Sequence, residues 1–154
     1  MMRRLLFAAV LAVFFTGCDG LIGGEEVARI PLQAAADGGY APVRILLKPE
    51  MNTVAFNLHA DFVWGKRDEA GQWNSYRATL STEDKVVRTQ EFQVNSPENT
   101  NASSSSPPTS LQQPVLRVDV PAEAEYQITI APLKPPAVTL NAPQLVVRIN
   151  VRQL

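Results

Sequence analysis

The stretch that decides the fold is Thr53-Val-Ala-Phe-Asn-Leu-His-Ala-Asp-Phe62, the longest clean alternation of apolar and polar residues in the chain. Its apolar side chains recur at every second position, which is the period of a strand with one buried face. A helix would repeat its apolar positions every three to four residues instead. The stretch therefore predicts a half-buried β-strand, with His59 on its polar face.

The same period recurs in the segments 27–33, 43–48, 75–80, 85–94, 116–120, 125–130 and 145–152. Within 85–94 the alternation slips by one position, which indicates a β-bulge. No segment has the pattern of an amphipathic helix. Because about eight strands would each bury one face, the sequence predicts an all-β domain built as an antiparallel β-sandwich.

The start of one of these predicted strands carries a recognisable sequence motif. Residues Ala122-Glu-Ala-Glu-Tyr126-Gln-Ile128 resemble the tyrosine corner of immunoglobulin-like sandwiches, with Ile128 where antibody domains carry a cysteine. The resemblance implies an immunoglobulin-like topology for residues 114–152, in which the final run 145–152 pairs with the Tyr126 strand. A jelly roll is the alternative sandwich topology.

The chain opens with the features of an export signal. Arg3 and Arg4 form a basic region, an apolar run spans 5–15, and small residues lead to Cys18, the single cysteine of the chain. This is the pattern of a secretory signal peptide. The apolar run is too short for a membrane-spanning helix, which needs about 20 residues.

The end of this signal, Phe15-Thr16-Gly17-Cys18, resembles the lipobox of bacterial lipoproteins. The resemblance implies that residues 1–17 are removed and that Cys18 is linked to diacylglycerol and then N-acylated. Two or three acyl chains anchor a protein stably, whereas one binds only marginally. The alternative is an ordinary cleavage site, which would leave an exposed thiol in an oxidising compartment. In enteric-type lipoproteins, Asp at the position of Asp19 implies retention in the inner membrane, and the outer membrane is the alternative.

Residues 18–26 are short and polar enough to form a flexible tether, followed by a single domain over 27–154. Without Arg3 and Arg4, twelve basic residues face 15 acidic ones, a net charge of −3. This balance argues against a nucleic-acid partner. The Ser- and Pro-rich stretch around 95–113 interrupts the strands and predicts a disordered loop.

Few residues of the chain are suited to catalysis or to metal binding. The single histidine, His59, lies on a polar strand face, and the single cysteine is assigned to lipid, so no activated nucleophile is expected. The acidic pairs Asp68-Glu69 and Glu83-Asp84 occur in predicted turns, where solvated charges are expected, and a weak calcium site is the alternative. No glycine-rich phosphate loop and no cofactor motif is present.

Two tryptophans form the one suggestive constellation. Trp64 and Trp73 bracket a charged stretch that reads as a hairpin tip. If exposed, the rings could stack on sugars or on a partner's side chains. Alternatively, they form a cross-strand pair or belong to the core.

These observations favour a non-enzymatic lipoprotein that faces the periplasm and binds an envelope protein partner. The alternative is a module that binds cell-wall glycans through Trp64 and Trp73. A hydrolase is the third hypothesis, and it would require carboxylates from separate strands to meet in a cleft.

Overall fold

A computed structural model describes residues 23–63, 69, 71–83, 85–96 and 110–152. The predicted signal peptide, Cys18, Asp19 and Trp64 lie outside this part, as does most of the predicted Ser/Pro-rich loop. The described residues form eight antiparallel strands in two four-stranded sheets. The predicted all-β antiparallel sandwich is therefore confirmed.

In chain order the strands are β1 (Glu25–Pro31), β2 (Tyr40–Leu47), β3 (Thr53–Phe62), β4 (Trp73–Ser81), β5 (Val86–Asn95), β6 (Ser110–Asp119), β7 (Ala124–Pro132) and β8 (Leu140–Ile149). A short 3-10 turn, Pro49–Met51, joins β2 to β3. The first sheet has the order β1-β8-β3-β6 and the second has the order β2-β7-β4-β5.

The pairing is that of a long hairpin folded over on itself. Strand β1 pairs with β8, β2 with β7, β3 with β6 and β4 with β5, so the first and last halves of the chain run antiparallel along their whole length. Two further pairings, β3 with β8 and β4 with β7, complete the sheets. This arrangement is the eight-stranded jelly roll, which was the alternative expectation.

The finer expectation of an immunoglobulin-like topology is wrong. The final strand β8 pairs with β1 and β3, and not with the Tyr126 strand β7, which lies in the other sheet. The local motif is nevertheless present, because the Tyr126 hydroxyl donates a hydrogen bond to the carbonyl oxygen of Ala122 at 2.8 Å. This hydrogen bond fixes a strand entry, and it does not determine which strands pair.

The core lies between the two sheets and follows the alternation of the sequence. In β3 the inward residues Val54, Phe56 and Leu58 are fully buried, as are their counterparts in β4, β7 and β8. Burying one such side chain contributes roughly 1.5–3 kcal/mol. The predicted bulge in 85–94 is also observed, where Leu80 pairs with Arg88 but Ser81 pairs with Val86.

Three element boundaries differ from expectation. Strand β6 begins at Ser110, inside the stretch predicted as loop, and β1 begins at Glu25, inside the predicted tether. Strand β6 is an edge strand with a bulge next to Pro114, and both settings tolerate proline. Strand β8 begins at Leu140 and includes Pro143, directly after Ala142 with φ of 47°.

The strand directions give the sandwich two distinct ends. We call the end that holds residues 23–24, 48–52, 82–83, 120–123 and 150–152 the proximal pole. The opposite end, which holds 32–39, 71–72 and 133–139, is the distal pole. Ten-residue strands such as β3 separate the poles by about 33 Å, at about 3.3 Å per residue.

Candidate functional site

Of the two tryptophans singled out in the sequence, Trp73 is the one that the structure describes. It opens β4 at the distal pole and is 42% exposed. The expectation of a hairpin between Trp64 and Trp73 is wrong, because β3 and β4 belong to different sheets. Strands β3 and β4 therefore do not form the predicted hairpin, and Trp64 itself lies outside the described residues.

The exposed ring of Trp73 lies in a small mixed patch. The Lys134 ammonium nitrogen lies over the ring, 3.7 Å from its centroid. Leu133 is also 42% exposed, and its backbone N–H donates to the carbonyl oxygen of Ser75 at 2.8 Å. We call Trp73, Leu133 and Lys134 the distal patch. An apolar ring and a cation presented together suit a partner that offers both apolar and polar surface.

Beside this patch lies a cavity of about 400 Å³. Its walls come from the β1–β2 connection, the β7–β8 connection and two tyrosines on the inner faces of β2 and β4. The main lining residues are Leu32, Tyr40, Glu69, Tyr76, Pro136 and Val138. This volume is within the usual range for small-molecule sites.

The wall formed by the β7–β8 connection is held by one buried amide. Asn74 is 1% exposed, and its Oδ1 accepts hydrogen bonds from the backbone N–H groups of Ala137 and Val138 at 2.7 and 2.8 Å. Its Nδ2 donates to the carbonyl oxygen of Val138 at 2.8 Å and to the Tyr76 hydroxyl at 3.0 Å. Asn74 thus replaces the strand pairing that this proline-flanked connection lacks.

A carboxylate fixes the same wall from the other side. Glu69 accepts a hydrogen bond from the Thr139 backbone N–H at 2.8 Å and another from the Thr139 hydroxyl at 2.6 Å. The sequence predicted a solvated turn charge at this position, and the structure places it against the β7–β8 connection. Asp68, its predicted neighbour in the acidic pair, lies outside the described residues.

The tyrosines of the cavity form an aromatic row into the core. Tyr76 stacks on Phe92 with centroids 5.4 Å apart, and Tyr40 is tilted against Tyr76 at 6.0 Å. Burial raises the pKa of both phenols, and the neighbouring Tyr76 raises that of Tyr40 further. Both hydroxyls therefore stay protonated at neutral pH and act as neutral hydrogen-bonding groups.

The other candidates from the sequence are dispersed. His59 lies half-buried in β3 between Gln112 and Gln144 on the outer face of its sheet. Within the described residues, no group of three or more His, Cys, Asp or Glu side chains is placed to hold a metal ion. The same residues include no helix that is long and apolar enough to cross a membrane.

Sequence reasoning missed Asn74, Tyr76 and Lys134 as site residues. A signal for Asn74 was present, because it shares the phase of the buried residues Tyr76, Ala78 and Leu80 and is therefore a polar residue at an inward position. Comparison with known proteins adds no assignment. No protein-family model matches the chain, and no curated protein sequence matches it.

Proposed function

We propose that this protein is a lipid-anchored lipoprotein of the bacterial envelope that binds an envelope protein through its distal pole. The proposal combines the lipobox at Cys18 with the position of the first described residues. The observation that carries it is that the chain enters the sandwich at the pole opposite the cavity and the distal patch.

The entry point is fastened to the proximal pole. The Arg148 guanidinium donates from Nη2 to the carbonyl oxygen of Gly24 at 3.1 Å. Gly24 has φ of +68°, and a Cβ there would come within 2.3 Å of the Ile149 carbonyl oxygen, so only glycine suits this turn. An acyl group on Cys18, six residues earlier, would hold the proximal pole close to the bilayer and direct the distal pole outward.

The distal pole is also the end with the exposed aromatic side chain. Trp is enriched at the energetic centres of protein interfaces, where its large ring excludes water from neighbouring contacts. Trp73 and Leu133 offer such a centre, and Lys134 supplies a charge for orientation. Connections rather than strands form most of this pole, which is usual for binding surfaces.

Site-specific photo-crosslinking in intact cells tests the proposal. A photoreactive residue at Leu133 samples the distal pole, and one at Val86, which is 58% exposed beside the proximal pole, is the matched control. We expect a specific envelope-protein adduct from position 133 that position 86 does not give. Equal adducts from both positions, or none from 133 when a control lipoprotein gives one, would reject the distal pole as the binding surface.

The second candidate function is glycan binding at the distal patch, and the exposed Trp73 ring favours it. Aromatic rings stack on the apolar faces of sugars. Titration of the Trp64→Phe variant with soluble cell-wall glycans isolates the fluorescence of Trp73. A saturable change in the Trp73 fluorescence supports this function, and an unchanged signal over the whole titration removes its basis.

A further inference from the structure

The distal cavity has the features of a preformed ligand site. Its walls include buried Leu32 and Val138 together with Pro136, and they are held in place by the hydrogen bonds of Asn74 and Glu69. A wall fixed in this way needs no reordering when a ligand binds, which lowers the entropic cost of binding.

The hydroxyl groups of Tyr40 and Tyr76 leave one proton that a ligand can accept in a hydrogen bond. The Tyr76 oxygen accepts a hydrogen bond from Asn74 Nδ2 and its side chain is buried, whereas Tyr40 is half-buried beside it and also lines the cavity. Each hydroxyl has one proton, and only one of the two can lie between them. Among the described residues, none accepts the other proton at hydrogen-bond distance, so the cavity presents a donor to an incoming oxygen.

The charges of the described residues around the cavity disfavour an anionic ligand. Glu69 is the one charged residue among the described residues that line it, and Asp37 lines the depression next to it. No described basic side chain lines the cavity to neutralise a phosphate or carboxylate. An aromatic cage for a cation is also not formed, because Tyr76 packs between Phe92 and Tyr40.

The cavity adjoins a shallower depression that leads towards the distal patch. Gly38 and Pro136 line both, and Lys134 lies at the far side of the depression. Gly38 has φ of +86°, and a Cβ there would approach the Pro136 ring to 2.8 Å, so the close passage between the two connections depends on glycine. A ligand seated in the cavity can therefore extend across the pole.

We propose that the distal cavity binds an N-acetylated sugar unit of a cell-wall glycan. The acetamido methyl group packs against Leu32 and Val138, and the acetamido oxygen accepts a hydrogen bond from the Tyr40 hydroxyl. Further sugar units follow the depression towards Trp73. This inference extends the second candidate function, naming its ligand class and giving it a site distinct from the tryptophan ring.

The test is calorimetric and NMR titration of the full chain, purified in detergent, with N-acetylglucosamine and its β-1,4-linked dimer. We expect saturable binding, tighter for the dimer, with shifts at the amides of Gly39 and Val138. Glucose and glucosamine both lack the acetyl group that packs against Leu32 and Val138, so both are expected to bind at least about tenfold more weakly. Equal or tighter binding of either one contradicts the proposal.

Two variants locate the site. Tyr40→Phe removes one hydroxyl and is expected to weaken binding about three- to tenfold, the effect of one lost hydrogen bond. Ala137→Phe fills the cavity and is expected to abolish binding, whereas Ala122→Phe at the proximal pole is the matched control. Thermal unfolding of each variant confirms that it is folded.

Undetectable binding of both N-acetylated sugars to the wild type overturns the proposal. Binding that survives both Tyr40→Phe and Ala137→Phe overturns the assignment to the cavity. Neither result affects the lipid anchor or the crosslink from position 133, so failure of this inference is distinguishable from failure of the lipoprotein proposal.

Discussion

At the scale of single residues, the buried side chain of Asn74 stabilises the β7–β8 connection at the distal pole. Its two ends satisfy four partners, and three of these are backbone groups of one connection that forms no strand pairing there. A buried polar group that loses its partner costs about 1–3 kcal/mol. The connection between β7 and β8 therefore depends on this side chain for its shape.

Replacing this side chain tests its role. We expect Asn74→Ala to lower the free energy of unfolding by about 3 kcal/mol, because it leaves one buried and one partly buried N–H group without acceptors. Asn95→Ala, an exposed change on the neighbouring strand β5, is expected to cost less than about 0.5 kcal/mol. Urea unfolding measures both. Similar losses for the two variants would show that the connection is held by other contacts.

The tyrosine pair gives a pH dependence with a defined sign. The pKa of Tyr40 and of Tyr76 is raised in the folded protein, so the folded state keeps these protons when the unfolded state has lost them. This contribution is fully present below the unfolded pKa of about 10, and it is lost as pH rises above that value.

Urea unfolding between pH 8 and pH 11 measures this dependence. Stability of the wild type is expected to fall above about pH 10, and Tyr40→Phe should show a shallower fall because one of the two phenols is absent. Tyr126→Phe, which removes the hydroxyl of a different buried tyrosine, serves as the control. If Tyr40→Phe and the wild type have the same slope, ionisation of Tyr40 does not oppose folding.

At the scale of elements, the sequence predicted the strands better than their connections. The period-two alternation placed β3 at Thr53–Phe62 because each inward residue is apolar and buried. Strand β6 was predicted too short, because Ser110, Gln112 and Pro114 have loop-like character and still suit an exposed edge strand. Alternation of apolar and polar residues indicates which face of a strand is buried. An edge strand needs a less regular alternation, because more of its surface stays exposed.

The pairing of strands could not be read from these segments. The Tyr126 corner indicated an immunoglobulin-like order, but its hydrogen bond spans only four residues and constrains only the entry to β7. The pairing of β1 with β8 joins segments more than a hundred residues apart. The cavity depends on the same kind of long-range contact, since the pairing of β4 with β7 brings Asn74 to Val138.

Strand β2 lies at an edge of its sheet and carries two residues that oppose further pairing. Pro42 lacks an N–H group, and Arg44 is exposed, while the nearby Leu46 is 53% exposed. Edge strands with unpaired backbone groups and apolar surface promote aggregation unless such residues block them.

We therefore expect Pro42→Thr/Arg44→Thr to aggregate faster than the wild type on mild heating, as measured by light scattering. Arg77→Thr is the matched control, because it also removes an exposed ion-paired arginine but lies on β4, which has neighbours on both sides. Equal aggregation of the two variants would mean that loss of charge, and not the exposed edge, is responsible.

At the scale of the whole molecule, the jelly roll separates attachment from recognition. The chain enters beside Gly24 at one pole, and the cavity and the distal patch lie at the other, about 33 Å away along strands such as β3. A lipid on Cys18 would orient the molecule on the membrane, with the binding surfaces directed away from the bilayer. This orientation therefore depends on the lipid anchor at Cys18.

The most direct test of this claim is fractionation of cells that produce the wild type or Cys18→Ser, with intact mass determination of each mature protein. We predict that the wild type is found in membranes with the mass of a chain beginning at Cys18 plus its acyl groups. Cys18→Ser is predicted to be soluble or to remain uncleaved. If both proteins are soluble in the periplasm with the same cleaved, unacylated chain length, the lipoprotein account is contradicted.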